Sequence, residues 1–150
     1  MCNMKEVFVG MAAFVEKDEK FLILKRSPEK DFVPNAWEVI TGRLEEEENP
    51  VKGILREISE ETGLEAKVIM PIDTGFFYRG GKEFPMVFIS YYCKYLNGEV
   101  KTSWEHVQHQ WVSIDEALEM EDLNHFHNMF RNIKKIKKYI PEDFSLEIHT

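Results

Sequence analysis

Short apolar runs separated by polar turns recur along the chain and predict a protein rich in β-strands. The first run, Val7 to Val15, is followed by the polar turn Glu16 to Glu19 and a second run, Phe21 to Arg26, which together predict a β-hairpin. A loop rich in Pro, Ser and Asn comes next. We predict further strands at Trp37 to Ile40, Glu65 to Met70, Thr74 to Tyr78, Phe84 to Tyr95 and Gln108 to Val112.

A helix with well-marked ends is predicted between Asn49 and Gly63. Asn49 is a favourable N-cap, Pro50 suits the first helical position, and Gly63 supplies the left-handed residue that ends a helix. One apolar stripe at helical spacing runs along this helix and is formed by Val51, Ile54, Leu55 and Ile58. We therefore expect the helix to pack on the sheet through this stripe.

Two more helices are predicted after the last strand. Ser113 and Glu116 have the spacing of a capping box and begin a short helix to about Met120, and a final helix is predicted from about His125 to Ile140. No repeat or shift in composition divides the sequence, so we expect one domain over residues 1–150. The order of elements predicts an α+β fold in which a mixed β-sheet carries helices on its faces.

Composition and charge exclude several classes of function. The 150 residues carry 27 acidic and 19 basic side chains, a net charge of −8, which is the wrong sign for binding a nucleic acid polymer. No apolar run approaches the roughly 20 residues that cross a bilayer, and the first residues do not resemble a secretory signal. Cys2 and Cys93 are too few for a disulfide framework. We expect a cytoplasmic protein without a membrane partner.

Acidic side chains crowd the first helix and suggest a bound cation. Glu57, Glu60 and Glu61 are related by three and four positions, so they repel one another, by about 0.2–0.5 kcal/mol for each exposed pair. Glu48 adds a fourth acid, and Arg56 is the one cation placed to help. Oxygen donors without His or Cys favour Mg²⁺, Mn²⁺ or Ca²⁺, and Mg²⁺ often completes its shell with phosphate oxygens. This pattern predicts phosphoryl-transfer chemistry with water as the attacking group.

The same residues resemble the signature of the Nudix hydrolase family. Gly42, Glu48 and the run from Arg56 to Leu64 match that signature at each specified position. Thr41 departs from it, because many members have a second glycine there, and Gly53 with Ile54 replaces two small residues. The resemblance implies an α/β/α sandwich and the hydrolysis of a pyrophosphate bond in a nucleotide with Mg²⁺ or Mn²⁺.

The resemblance also implies roles for the motif residues. Glu57 and Glu61 become the leading metal ligands, Glu60 a further ligand or a partner of metal-bound water, and the carbonyl of Gly42 can complete the shell. Arg56 is expected to orient the carboxylates through Glu48 or Glu60. Related enzymes place the general base either on the motif helix or in a later loop, and Glu105 is the candidate in that loop, with an ordinary exposed acid as the alternative.

Candidates for substrate contact lie outside the motif. Arg26 can pair with a phosphate through its fork of N–H groups, or it can be a surface charge. Trp37, Tyr78 and Phe77 can contact a base or simply pack in the core. His106 and His109 lie three apart in an extended segment, so their side chains point to opposite faces and no metal pair is expected.

The sequence favours a metal-dependent pyrophosphohydrolase that cleaves a nucleoside triphosphate, or a damaged form of one, to a monophosphate and pyrophosphate. An ADP-ribose or nucleotide-sugar pyrophosphatase is the nearest alternative, since no distinctive segment lies between Glu65 and Pro85. A non-catalytic Nudix domain that senses nucleotides and a structural domain that merely binds cations are the others. The expected partner is a small nucleotide, and the oligomeric state stays open, with a homodimer as one option.

Overall fold

The computed structural model describes residues 6–30 and 33–148, so Cys2 lies outside the described residues. The described residues form a β-sheet, three α-helices and two 3₁₀-helices, Glu121–Phe126 and Lys137–Tyr139. The strands are β1 (Phe8–Lys17), β2 (Lys20–Arg26), β3 (Trp37–Glu38), β4 (Ile40–Arg43), β5 (Glu65–Tyr78), β6 (Pro85–Asn97) and β7 (His106–Val112). The helices are α1 (Pro50–Thr62), α2 (Ile114–Glu119) and α3 (His127–Ile136).

The sheet is mixed, with β1 at its centre. β1 runs parallel to β6 and antiparallel to β4, and it joins β2 through a tight hairpin. Asp18 and Glu19 form that turn with positive φ angles of 51° and 62°, the geometry that two-residue hairpins require. β2 continues the sheet by pairing with β3 and β7, and β5 pairs with β6 at the opposite edge.

Helices cover both faces of this sheet, which confirms the predicted α+β sandwich. Alternate residues of β1 point to opposite faces, as the period of a strand requires. Met11 packs in the same buried cluster as Ile58 of α1, whereas Phe14 packs with Phe130 and Ile133 of α3. The ring centroids of Phe14 and Phe130 lie 5.0 Å apart in an edge-to-face contact. Each helix therefore buries its apolar stripe against one side of the sheet.

The ends of α1 match the prediction. The side chain of Asn49 accepts hydrogen bonds from the backbone N–H groups of Val51 and Lys52, and Gly63 ends the helix with a φ of 74°. The predicted capping box of Ser113 and Glu116 is also present at α2. The strongest local sequence signals thus fixed the limits of the helix that carries the acidic motif.

The predicted strand Trp37 to Ile40 is two strands, β3 and β4, because β3 pairs with β2 and β4 with β1. Other predicted elements also differ from the structure. The strands predicted on either side of Pro71 form one strand, β5, because its pairing with β6 continues through register shifts near Val68 and Pro71. Pro71 fits there because β5 is an edge strand, where a missing N–H is tolerated. The final helix begins as a 3₁₀ turn and its α-helical part ends at Ile136. Within the described ranges, no helix is long and apolar enough to span a membrane.

Candidate active site

A cleft of about 820 Å³ collects most of the predicted site residues. Its walls come from β2, β3, β4, α1, β5, β6 and the segment that leads into β7. The predicted residues that line it are Arg26, Gly42, Phe77, Glu57, Glu61 and Glu105. Four predicted residues do not belong to its lining among the described residues, namely Arg56, Glu60, Trp37 and Tyr78. These segments, distant in sequence, meet because α1 packs against β4 and β5. The sheet joins those strands to β2 and β6, with β1 between β2 and β6.

The acidic side chains of α1 lie in different environments. Glu57 and Glu61 are one helical turn apart and both line the cleft. Glu60 points away from it, and its side chain is 59% exposed. Glu57 is largely buried, with a side chain only 14% exposed. The motif therefore presents two carboxylates to the cleft and holds the third outside.

Gly42 is required by the close approach of β4 to α1. A Cβ atom at this position would lie 2.6 Å from Oε1 of Glu57 and closer still to the carbons of that side chain. Real Cβ atoms do not approach other heavy atoms so closely, so a larger residue would displace Glu57. Gly53, one of the positions that depart from the family signature, also permits a close approach. A Cβ atom there would lie 2.8 Å from Oε1 of Glu48.

Arg56 connects the acids of the motif. Its Nε and Nη2 donate to the two carboxylate oxygens of Glu48 at 2.7 and 3.0 Å, a bidentate geometry. Its Nη1 donates to Glu57 at 2.9 Å and to Glu60 at 3.1 Å. The expected contacts of Arg56 with Glu48 and with Glu60 are thus both present. The hydrogen bonds from Arg56 hold the pKa of Glu48 below its ordinary value.

The two carboxyl groups in the cleft are poorly compensated. Burial raises the pKa of Glu61 to about 9, and the negative charges of Glu57 and Glu38 add to this effect. Oε2 of Glu61 is buried and has no hydrogen-bond partner among the described residues. Burial also raises the pKa of Glu57, although Arg56 opposes the shift. A cation at this place would remove the unfavourable charge.

The donor set of the cleft suits a hard divalent cation. Among the described residues, no three His, Cys, Asp or Glu side chains are already grouped as a complete metal centre. Mg²⁺ needs fewer protein ligands than that, because it keeps several waters and binds substrate phosphates. Glu57 and Glu61 offer carboxylate oxygens, and Oε2 of Glu61, which has no hydrogen-bond partner among the described residues, is available to bind a metal. The residues present therefore fit such an ion.

Glu105 lies beside a lysine that the sequence did not single out. Its carboxylate forms an ion pair with Nζ of Lys30, and this hydrogen bond lowers the pKa of Glu105. Both residues line the cleft. The negative charge of Glu105 contributes to the raised pKa of Glu61, so the loop acid lies near the acids of α1. Glu105 is therefore in the cleft but anchored to a cation.

A largely buried polar cluster forms part of the wall of the cleft near Glu105. Nη1 of Arg26 donates to both carboxylate oxygens of Glu38 at 3.0 Å, and Nε2 of His106 lies 2.8 Å from Oε2 of Glu38. The sequence pointed to Arg26 alone, because the three residues come from different strands. His109 is exposed, whereas His106 is buried, so the two side chains lie in different environments.

Aromatic residues provide the apolar lining. Phe76, Phe77, Phe88 and Phe126 line the cleft, and the ring centroids of Phe77 and Phe88 lie 5.8 Å apart. Trp37 instead packs against the buried cluster beneath α3. Tyr78 is exposed and contacts Phe76 edge to face at 5.2 Å. The two residues before Tyr78 in β5 therefore line the cleft, whereas Tyr78 itself does not.

Comparisons with known proteins agree with this architecture. The crystal structure of a MutT protein from Methanosarcina mazei Go1 matches with a TM-score of 0.77 and 26% identity, covering 91% of this chain and 99% of that chain. A CTP pyrophosphohydrolase of Escherichia coli (strain K12) is 36% identical over 58 residues, which are 39% of this chain and 42% of the relative. An 8-oxo-dGTP diphosphatase of Proteus vulgaris is 30% identical over 74 residues, 49% of this chain and 65% of the relative.

A longer match comes from a protein with a different name. An octanoyltransferase of Myxococcus xanthus is 28% identical over 120 residues, 77% of this chain but only 32% of the relative. The chain thus spans between about a third and two thirds of the length of these curated relatives. A model of the family described as NUDIX domain matches residues 4–132. Because this match covers most of the sequence and the motif lies inside it, the chain belongs to the Nudix family.

Proposed function

We propose that this protein is a metal-dependent pyrophosphohydrolase that cleaves a nucleoside triphosphate, or a damaged form of one, to a nucleoside monophosphate and pyrophosphate. The observation that carries the proposal is the pair Glu57 and Glu61, two desolvated carboxyl groups on one wall of a large cleft. Two of the curated relatives carry names that refer to the hydrolysis of nucleoside triphosphates, which supports this substrate class.

The residues of α1 and β4 are assigned to holding Mg²⁺ or Mn²⁺. Glu57 and Glu61 would bind the ion, with the backbone carbonyl of Gly42 beside them. Glu60, the further ligand expected from the sequence, does not line the cleft, so no ligand bond is assigned to it. When bound, such an ion neutralises phosphate charge and lowers the pKa of water. Arg56 keeps Glu57 in place through the hydrogen bond between its Nη1 and Oε1 of that carboxylate.

Glu105 is the group assigned to accept the proton. A bond forms between a water oxygen and phosphorus while the bond from phosphorus to the bridging oxygen breaks, and Glu105 takes the proton that water loses. Its carboxylate is ionised and therefore able to accept, because Lys30 lowers its pKa. Cations that line the cleft offer charge to the phosphates, and these are Arg26, Lys30, Arg43 and Arg79.

The base is assigned to the aromatic part of the cleft. Phe77, Phe88 and Phe126 offer apolar rings for a planar base. Asp73 also lines the cleft and offers a carboxylate that can accept a hydrogen bond from an amino group on the base. Trp37 and Tyr78, two of the residues expected from the sequence, do not line it, so we assign base contact to phenylalanines of the lining, including Phe77.

A substrate panel tests this function. Nucleoside triphosphates, oxidised nucleoside triphosphates, ADP-ribose, nucleotide sugars and dinucleoside polyphosphates are incubated with Mg²⁺ or with a chelator, and the products are identified by ³¹P nuclear magnetic resonance. We expect monophosphate and pyrophosphate from a triphosphate, in the presence of the metal alone. Faster cleavage of ADP-ribose or a nucleotide sugar than of any triphosphate would contradict the proposed substrate class and identify the faster substrate as the better one. Binding without turnover would indicate a nucleotide sensor instead of an enzyme.

A further inference from the structure

Arg26, Glu38 and His106 form a buried cluster, and two of its members, Glu38 and His106, have no role in the chemistry described above. All three residues are more than nine-tenths buried, with exposed fractions of 7%, 8% and 4%. They come from β2, β3 and β7, so one cluster ties three strands together. Glu38 accepts from both neighbours, and an ionised carboxylate accepts only, so Nε2 of His106 carries the hydrogen. Buried charges of this kind are costly unless they are paired, as they are here.

The cluster ends beside the proposed general base. His106 follows Glu105 directly in the chain, at the start of β7. The backbone carbonyl of Glu105 accepts a hydrogen bond of 2.8 Å from the N–H of Ser27, which follows Arg26. The segment that carries Glu105 is therefore held at two adjacent points, once through its backbone and once through the ring of His106.

Glu105 needs an anchor because it lies outside the strands, in the segment between β6 and β7. Its side chain lines the same cleft as Glu57 and Glu61. Side chains of such connecting segments are more mobile than those of a sheet unless other contacts hold them. Lys30 attracts the carboxylate, but it sits in the loop after β2 and not in the sheet. The cluster behind Glu105, by contrast, is buried and bonded between strands.

We propose that Glu38 and His106, bonded to each other and to Arg26, are positioning residues that hold Glu105 in the cleft. Glu38 and His106 act through the backbone of residues 105 and 106 rather than by touching the substrate. This inference rests on the proposed function, because it gives Glu105 the role of base. It adds two residues, Glu38 and His106, that neither the motif nor the sequence analysis assigned to the reaction.

Substitution of His106 tests the proposal in a double-mutant cycle. His106→Phe removes the hydrogen bond to Glu38, and little else is lost, since Nδ1 has no partner among the described residues. We expect kcat to fall by at least about tenfold with KM within about threefold, because positioning the base affects the chemical step. In a Glu105→Gln background, the same substitution should change kcat by less than about twofold. An equal loss in both backgrounds would overturn the proposal.

Two further variants separate positioning from general damage. His109→Phe makes the same exchange at an exposed site on the same strand and should leave kcat unchanged. His106→Gln keeps a side-chain N–H that can donate to Glu38, so it should retain more than about a third of the activity. If His106→Phe does not fold, the double-mutant cycle with Glu105→Gln is measured with Glu38→Gln instead. Full activity of both His106→Phe and Glu38→Gln would also overturn the proposal.

Hydrogen exchange gives a readout that does not depend on turnover. The amide of Ser27, which donates to the carbonyl of Glu105, should exchange at least about tenfold faster in His106→Phe than in the parent or in His109→Phe. Unchanged exchange would mean that the cluster does not hold this segment. If the parent hydrolyses no nucleotide, the proposed function fails while this measurement still decides whether Glu105 is anchored.

Discussion

Replacement of Glu61 by Gln should stabilise the metal-free protein while it removes activity. Glu61 is partly buried in the cleft, its buried Oε2 has no hydrogen-bond partner among the described residues, and it lies near the charges of Glu57 and Glu38. Gln has nearly the same shape as a protonated Glu but never ionises. The substitution therefore removes the cost of a buried negative charge, and with it a ligand for the metal. From the sequence alone, this residue belonged to an exposed face of the helix, where such a change would have little effect on stability.

The sign and size of the effect follow from the pKa of Glu61. It is about 9 in the folded protein against 4.5 for the unperturbed group, so between these values the folded state retains a proton that the unfolded chain has released. The contribution of Glu61 to stability is therefore full below about pH 4.5 and is lost as the pH rises towards 9. Each pH unit is worth about 1.4 kcal/mol, which sets a ceiling of about 5 kcal/mol at pH 8. Because water enters the open cleft, we expect about 2 kcal/mol.

Urea unfolding at pH 5 and pH 8 in the presence of a chelator measures this effect. Glu61→Gln should match the parent at pH 5 and exceed its free energy of unfolding by about 2 kcal/mol at pH 8. Glu60→Gln, an exposed substitution on the same helix, should show no such difference between the two pH values. A Glu61→Gln protein that gains nothing on going from pH 5 to pH 8 would refute the reasoning that Glu61 is an uncompensated buried acid.

Three other substitutions test separate parts of the site. Gly42→Ala should displace Glu57 and lower kcat by about 100-fold in a steady-state assay, whereas Gly75→Ala, where a Cβ meets open space, should not destabilise the fold. Arg56→Lys should lower kcat by about tenfold or more and raise the Mg²⁺ concentration needed for half activity, because a lysine cannot contact Glu48 through a fork. Ile58→Ala should cost about 2–5 kcal/mol in urea unfolding, since Ile58 is fully buried, with unchanged activity per folded molecule.

Local signals made parts of the fold predictable. Asn49, Pro50 and Gly63 determine the ends of α1 by capping and backbone geometry, and the structure has the helix between those residues. The continuity of β5 was not predictable, because Pro71 reads as a break and the strand is completed by pairing with β6, a partner remote in sequence. The start of the final helix was not predictable either. The apolar spacing near Phe126 is compatible with an α-helix and with a 3₁₀-helix, and the structure has a 3₁₀-helix there.

The site shows the same division between local and long-range information. The motif places Glu57 and Glu61 one turn apart on a helix, and both line the cleft as one wall. The partner of Arg26 was not predictable, because Glu38 is 12 residues away and reaches it only when β2 pairs with β3. Lys30 and Glu105 are separated by 75 residues and meet for a similar reason. Contacts of this kind depend on strand pairing, which the pattern of single residues does not encode.

Binding of Mn²⁺ to the metal-free protein, followed by electron paramagnetic resonance with a non-hydrolysable nucleoside triphosphate present, tests most directly whether the cleft carboxylates hold a divalent ion against a phosphate. The account predicts saturable binding by the parent and at least about tenfold weaker binding by Glu57→Gln and by Glu61→Gln. Glu46→Gln, at an exposed position in the loop before α1, should bind as the parent does. Equal affinity for Mn²⁺ in the parent and in both cleft variants would contradict the account.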